Sequence, residues 1–162
     1  MSADRFERFF ADVGKHLSRP MLLEPFQRQL IAETFGPQRE LLALLPRGNG
    51  KTSLMAARGL YELVTCPDAE VYAAAASREQ AGIMFDSARK MAMAHPAIER
   101  MVTITRRELR TKNGFFRVLP SEAGHVYGLT PTLIFVDELA WQRLTTSTSR
   151  CGPRSTSAAL AS

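Results

Sequence analysis

The chain has 162 residues, enough to bury one hydrophobic core, with 45% hydrophobic residues and only 8% aromatics. Its formal charge of +5 does not by itself mark a nucleic-acid surface: three of its 21 basic residues, Arg143, Arg150 and Arg154, follow the last acidic residue, Glu138, leaving 18 basic against 16 acidic groups over residues 1–141. No apolar run reaches the length of a membrane span, and residues 1–17 carry Asp4, Glu7 and Asp12 where a secretory leader needs an uninterrupted apolar core; the cytoplasm is therefore the expected compartment and no membrane the expected partner.

Residues 2–17 place Phe6, Phe9, Phe10, Val13 and Leu17 at helical spacing, which predicts an amphipathic helix packed on a core. A second helix is predicted over 26–35, ended by Gly36-Pro37. Residues 40–45 read as a short buried strand, and a helix opens at Lys51, continues through 54–64 and turns at Cys66-Pro67-Asp68. A small-residue strand is expected at 71–76, after which Ser77 caps a helix running to about His95-Pro96. Two strands, 102–112 and 115–119, flank Asn113-Gly114, a strong hairpin signal. The loop 121–130, with Gly124 and Gly128, leads into an apolar strand over 132–136. Cys66 and Cys151 form neither a disulfide framework nor a metal site and are read as reduced. His16, His95 and His125 lack metal-site spacing and are read as structural or surface residues.

Two segments carry chemistry. The first, 44–52, is Leu-Leu-Pro-Arg-Gly-Asn-Gly-Lys-Thr, an apolar strand end followed by a glycine-containing loop and a helix start. Backbone N–H groups at a helix start, together with the helix dipole, favour an anion, so phosphates are the expected occupant. Gly48 and Gly50 let the main chain wrap closely, with Asn49 between them; Lys51 would place its charge between the terminal phosphates and the Thr52 hydroxyl would ligate magnesium. The full phosphate-loop pattern wants a further glycine six residues before the lysine, where this chain has Leu45, so the loop is a variant. The second segment, Leu133-Ile134-Phe135-Val136-Asp137-Glu138, is a strand expected to be covered on both faces, with carboxylates at its carboxyl end, where ligands bind in open α/β sheets. Asp137 would hold the magnesium through water, and Glu138 would orient and deprotonate the water attacking the γ-phosphate.

Other features leave alternatives open. Gln27 is either an amide placed to pair with the adenine edge or a solvent-facing glutamine. Arg106, Arg107, Arg110, Lys112 and Arg117, set against Glu108, form either a phosphate-tracking surface or a strand edge kept charged against aggregation. Residues 142–162 are polar and low in complexity, without a 2.0 or 3.6 period, and are expected to lack regular structure. The expected organisation is a partial nucleotide-binding domain over 1–141 and a tail over 142–162, cut short by a reading-frame change near Gln142 or as a deliberately short product.

Across 22–141 the chain resembles the large subunit of tailed-phage terminases, the motor that pumps genomic DNA into a procapsid. The resemblance rests on Pro25-Phe26-Gln27-Arg28-Gln29, the loop 46–52, the segment 73–81 with Ser77-Arg78-Glu79-Gln80-Ala81, and 133–138. It implies that Gln27 belongs to an adenine-recognition segment and that Arg47 senses or stabilises the γ-phosphate, with Lys51, Thr52, Asp137 and Glu138 in the roles above. It also implies ATP and Mg2+ as cofactors, double-stranded DNA, the portal protein and the small terminase subunit as partners, a homo-oligomeric ring, and the host cytoplasm as location. The family's coupling motif and nuclease domain are not recognised in the sequence. The fold expected is a three-layer α/β P-loop type with a mainly parallel sheet and a strand between the two motif strands, incomplete at its carboxyl end. Two other readings stand beside it. A helicase-like ATPase would want Ala-His or Ala-Asp after the carboxylates, where Leu139-Ala140-Trp141 follows, and a non-catalytic remnant is suggested by the composition break at Gln142.

Overall fold

The computed structural model describes residues 1–46, 48–75, 78–119 and 130–137, and the backbone of 156–161. In chain order the elements are α1 (Ala3–Lys15), α2 (Pro25–Thr34), β1 (Glu40–Leu44), α3 (Lys51–Thr65), β2 (Glu70–Ala75), α4 (Arg78–Ala94), α5 (Pro96–Met101), β3 (Thr103–Ile104), β4 (Glu108–Arg110), β5 (Phe115–Val118), β6 (Leu133–Asp137) and β7 (Thr156–Ala161). One sheet runs β1-β7-β6-β2-β5-β4-β3; the first five strands of that order are mutually parallel, and β3 and β4 join by antiparallel pairing.

Side-chain alternation splits the sheet into two apolar faces. Val71 and Ala73 of β2, Leu133 and Phe135 of β6 and Phe116 of β5 join the main core with residues of all five helices. Tyr72, Ile134 and Leu119 form a second cluster, to which no helix contributes among the described residues. The expected α/β fold with a mainly parallel sheet is present, but of the three layers expected the described residues show two, the sheet and helices packed on one of its faces.

The helices pack for reasons visible in their side chains. Ser2 caps α1 by accepting from the Arg5 N–H, and Phe6, Phe10 and Val13 are buried on one stripe. Phe6 meets Tyr61 of α3 edge to face, with ring centroids 5.5 Å apart, and Phe9 and Phe35 complete the aromatic cluster. Arg58 and Glu62 of α3 form a buried ion pair at 2.7 Å, and the Arg58 guanidinium lies 4.4 Å from the Phe35 ring centroid, tying α2 to α3. At Gly59, α3 comes so close to the sheet that a Cβ would lie 2.8 Å from Phe116 Cε1 and 3.1 Å from Phe135 Cε2.

Several expectations need correction. The strand at 40–45 is not a buried one: Ala43 is buried, but Leu42 and Leu44 are 60% and 71% exposed, because β1 stands at the edge of the sheet. The strand expected over 102–112 is broken into β3 and β4 by Thr105, whose hydroxyl accepts from the Glu108 N–H at 3.1 Å and whose own N–H donates to the Glu108 carbonyl at 2.9 Å. The hairpin β4–β5 forms as expected, yet neither Asn113 nor Gly114 has positive φ. Gly114 is needed instead for close approach, since a Cβ there would lie 2.8 Å from the Ala69 carbonyl oxygen.

The expectation that residues 142–162 lack regular structure fails for Thr156–Ala161. This segment is β7, paired in parallel with β1 on one side and β6 on the other, and so it is the strand lying between the two motif strands. A composition averaged over the whole tail hides its short Ala158-Ala159-Leu160-Ala161 run. Cys66, read as reduced, is disulfide-bonded; nothing in its local sequence marks a pairing, and Cys151 lies outside the described residues.

Candidate functional site

The site grows from the carboxyl ends of parallel strands. β1 ends at Leu44, and the loop after it reaches α3 through Gly48, at φ 85°, and Gly50, at φ 69°, both in the left-handed region that an L side chain resists. Gly50 is the N-cap of α3, with no side chain closing the helix end. The first intrahelical bond runs from the Leu54 N–H to the Gly50 carbonyl at 2.9 Å, so the N–H groups of Lys51, Thr52 and Ser53 precede it and have no helical partner. A Cβ at Gly48 would meet nothing within 4 Å, leaving open space beside the loop. A loop of this shape opening an uncapped helix suits phosphate groups.

Lys51 is the first residue of α3, and its Nζ lies 3.1 Å from Oδ1 of Asp137, the last residue of β6. Both side chains are largely shielded, at 12% and 11% exposed. Lys51 is carried by α3 and Asp137 by β6, with β7 paired between β6 and β1. A cation and a carboxylate beside a glycine loop that opens an uncapped helix are groups suited to a phosphate anion and a divalent cation respectively. Thr52 sits in the first turn of α3, half-buried, on the residue that follows the lysine.

Gln27 is not the solvent-facing glutamine that one alternative expected. It is buried, 8% exposed, and its amide spans two backbones: Oε1 accepts from the Glu24 N–H at 3.0 Å, and Nε2 donates to the Asn49 carbonyl at 2.8 Å. The side chain therefore ties the start of α2 to the loop, and a Cβ on Gly50 would come within 3.0 Å of that same Nε2. The contact to Asn49 was not legible in advance, although the Glu24-x-x-Gln27 spacing carries a capping-box signal.

Gln27, Gly48, Asn49, Gly50, Lys51, Thr52 and Asp137 thus lie in or beside the loop or on the strand end facing it, while Arg47 and Glu138 lie outside the described residues. The basic hairpin is partly neutralised. The Glu108 carboxylate accepts from Arg110 at 2.6 Å and from Arg117 at 2.8 Å, and Arg117 also stacks on Phe115. Arg106 and Arg107 stay exposed and line, with Asp86 and Arg89 of α4, a cleft of about 490 Å³ away from the loop. No helix among the described residues is long and apolar enough to cross a membrane.

The family described as terminase large subunit, ATPase domain, matches residues 34–151. The terminase large subunit of Enterobacteria phage HK97 is 34% identical over 143 residues, covering 82% of this chain and 28% of that protein. The crystal structure of the HK97 large terminase superposes with a TM-score of 0.79 at 25% identity, over 100% of this chain and 38% of that one. A mutant of the large terminase ATPase domain of Thermus phage P74-26 gives a TM-score of 0.70 at 15% identity, over 96% of this chain and 68% of that one, a likeness of fold. The chain therefore spans little more than a quarter of the HK97 large subunit's length.

Proposed function

The chain belongs to the terminase large-subunit ATPase-domain family, and from that premise we propose that it binds Mg-ATP at the loop between β1 and α3 and, within an intact subunit, hydrolyses it to drive double-stranded DNA into a viral procapsid. The family acts in DNA packaging and as a class uses a nucleotide with a divalent metal. The helicase-like alternative gives way to this membership. The observation that carries the reading is the 3.1 Å contact between Lys51 and Asp137, which joins the two motif segments at one end of the sheet.

On this reading Lys51 would reach the β- and γ-phosphates, and Asp137, through water, and the Thr52 hydroxyl would hold Mg2+, which would neutralise charge at the phosphate oxygens. The N–H groups from Gly48 to Thr52 wrap the phosphates, and Arg47 offsets charge on the γ-phosphoryl group. Gln27 spends one amide hydrogen on Asn49 and one oxygen lone pair on Glu24; it retains one of each, the set an adenine edge requires. Glu138, following Asp137, takes the proton of the attacking water. Portal protein, small subunit, ring assembly and the host cytoplasm belong to the same proposal for the longer protein.

The test is steady-state ATP hydrolysis in the presence of double-stranded DNA. Glu138→Gln keeps the shape of the carboxylate but cannot accept the proton, so nucleotide affinity should persist while turnover drops about 100-fold or more. An unchanged rate would assign the base to another residue. ATP binding without DNA-stimulated turnover in the unmutated chain would favour the second reading, a non-catalytic nucleotide-binding remnant.

A further inference from the structure

Away from the loop, Asp12, His16 and His95 converge, with one ligand atom from each lying within 4.8 Å of the others. Asp12 lies in α1 and His16 caps its end in the right-handed helical region, so their four-residue spacing puts them on one face. His95 is the N-cap of α5, at the junction with α4. Its Nε2 is 3.0 Å from Asp12 Oδ2, and its ring stands edge-on to His16 with centroids 4.6 Å apart. We propose that these three side chains form a binding site for a divalent transition-metal ion of the zinc class, clamping the end of α1 to the α4–α5 junction.

The chemistry of the donors selects the ion. Two imidazoles and one carboxylate suit zinc and its neighbours, whereas magnesium and calcium prefer all-oxygen shells. In a tetrahedral zinc site with bonds of about 2.0–2.1 Å, neighbouring ligand atoms are about 3.3 Å apart, so the 3.0 Å pair is already at coordinating distance, and the other separations, at most 4.8 Å, close as the ion binds. Lys15 approaches the other Asp12 carboxylate oxygen, Oδ1, at 3.5 Å and leaves Oδ2 to the site. Asp12 and His16 are exposed, so water completes the coordination and the ion enters from solvent. His95 Nδ1 is buried without a hydrogen-bond partner, so this ligand lacks the outer hydrogen bond that usually orients a metal-bound imidazole. Affinity should accordingly be micromolar in order of magnitude.

Cobalt(II) is the spectroscopic probe, titrated into the metal-free, untagged full chain, with zinc added afterwards as competitor. The expected result is one saturable equivalent with visible ligand-field absorption, displaced by zinc, together with a Tm that climbs with zinc concentration. His95→Ala and Asp12→Asn should each weaken cobalt binding at least tenfold, while Asp86→Asn, which changes an exposed carboxylate elsewhere on α4, leaves it unchanged. Circular dichroism of each variant separates lost binding from lost fold, and Asp12→Asn, an exposed isosteric change, keeps the test informative should His95→Ala not fold. Absence of saturable binding up to about 1 mM, or binding that survives both substitutions, would overturn the site.

Discussion

Gln27 shows how one side chain can serve two partners, and it offers a way to measure each. Its Nε2 bond to the Asn49 carbonyl at 2.8 Å fixes the loop whichever base is bound, whereas any contact to a base edge would distinguish adenine from guanine. Gln27→Ala removes both contributions. A loop no longer held to α2 must be ordered by the ligand, so affinity for ATP and GTP should fall together by roughly tenfold, the equivalent of one net hydrogen bond of about 1.4 kcal/mol. The preference for ATP over GTP should also shrink toward one. Calorimetry with both nucleotides separates the two effects: an untouched GTP affinity would mean that the Asn49 contact does nothing for the loop, and a preserved preference would remove Gln27 from base recognition.

Among the elements, the clearest test of packing is the seam between α3 and the sheet. At Gly59 alanine is the better helix former by about 1 kcal/mol, yet its Cβ would press into Phe116 and Phe135, themselves buried and unable to withdraw. Overpacking of this kind costs about 1–3 kcal/mol, so Gly59→Ala should lower Tm by a few degrees, and a rise in Tm would show that the two rings yield. The same seam marks what periodicity can reveal. Helices α1 to α4 and strands β2, β5 and β6 fall where apolar spacing places them, because each buries a regular stripe or run. The exposure of β1 and the recruitment of β7 depend on which strand becomes whose neighbour, a choice made by the assembled sheet and not by the local sequence. Gly114 is a milder case: the turn was legible, but its cause, the approach to Ala69, is tertiary.

For the molecule as a whole, the candidate site was legible as two strings because phosphate-loop chemistry demands glycine, lysine and a hydroxyl in one short run and carboxylates at a strand end. The Asp12, His16 and His95 cluster was not, since it joins residues of α1 to the α4–α5 junction and has no pattern along the chain. A site assembled from α2, the loop, α3 and β6 exists only when those elements are folded together, so Mg-ATP should stabilise the fold by mass action. At a concentration 100 times its Kd the gain is about 2.7 kcal/mol, a Tm rise of roughly 5–10 °C for a domain of this size. Lys51→Ala removes a charge-assisted contact to phosphate, which should weaken binding about tenfold or more. At the same nucleotide concentration the gain then falls to about 1.4 kcal/mol, halving the shift. The ligand-free Tm of the variant should drop as well, because Asp137 would keep its shielded carboxylate without the ammonium now 3.1 Å away; the shift on adding nucleotide, not the absolute Tm, is therefore the quantity to compare. Differential scanning fluorimetry of both proteins with Mg-ATP decides the matter: equal shifts would place the nucleotide elsewhere on the molecule and remove the loop after β1 from its recognition.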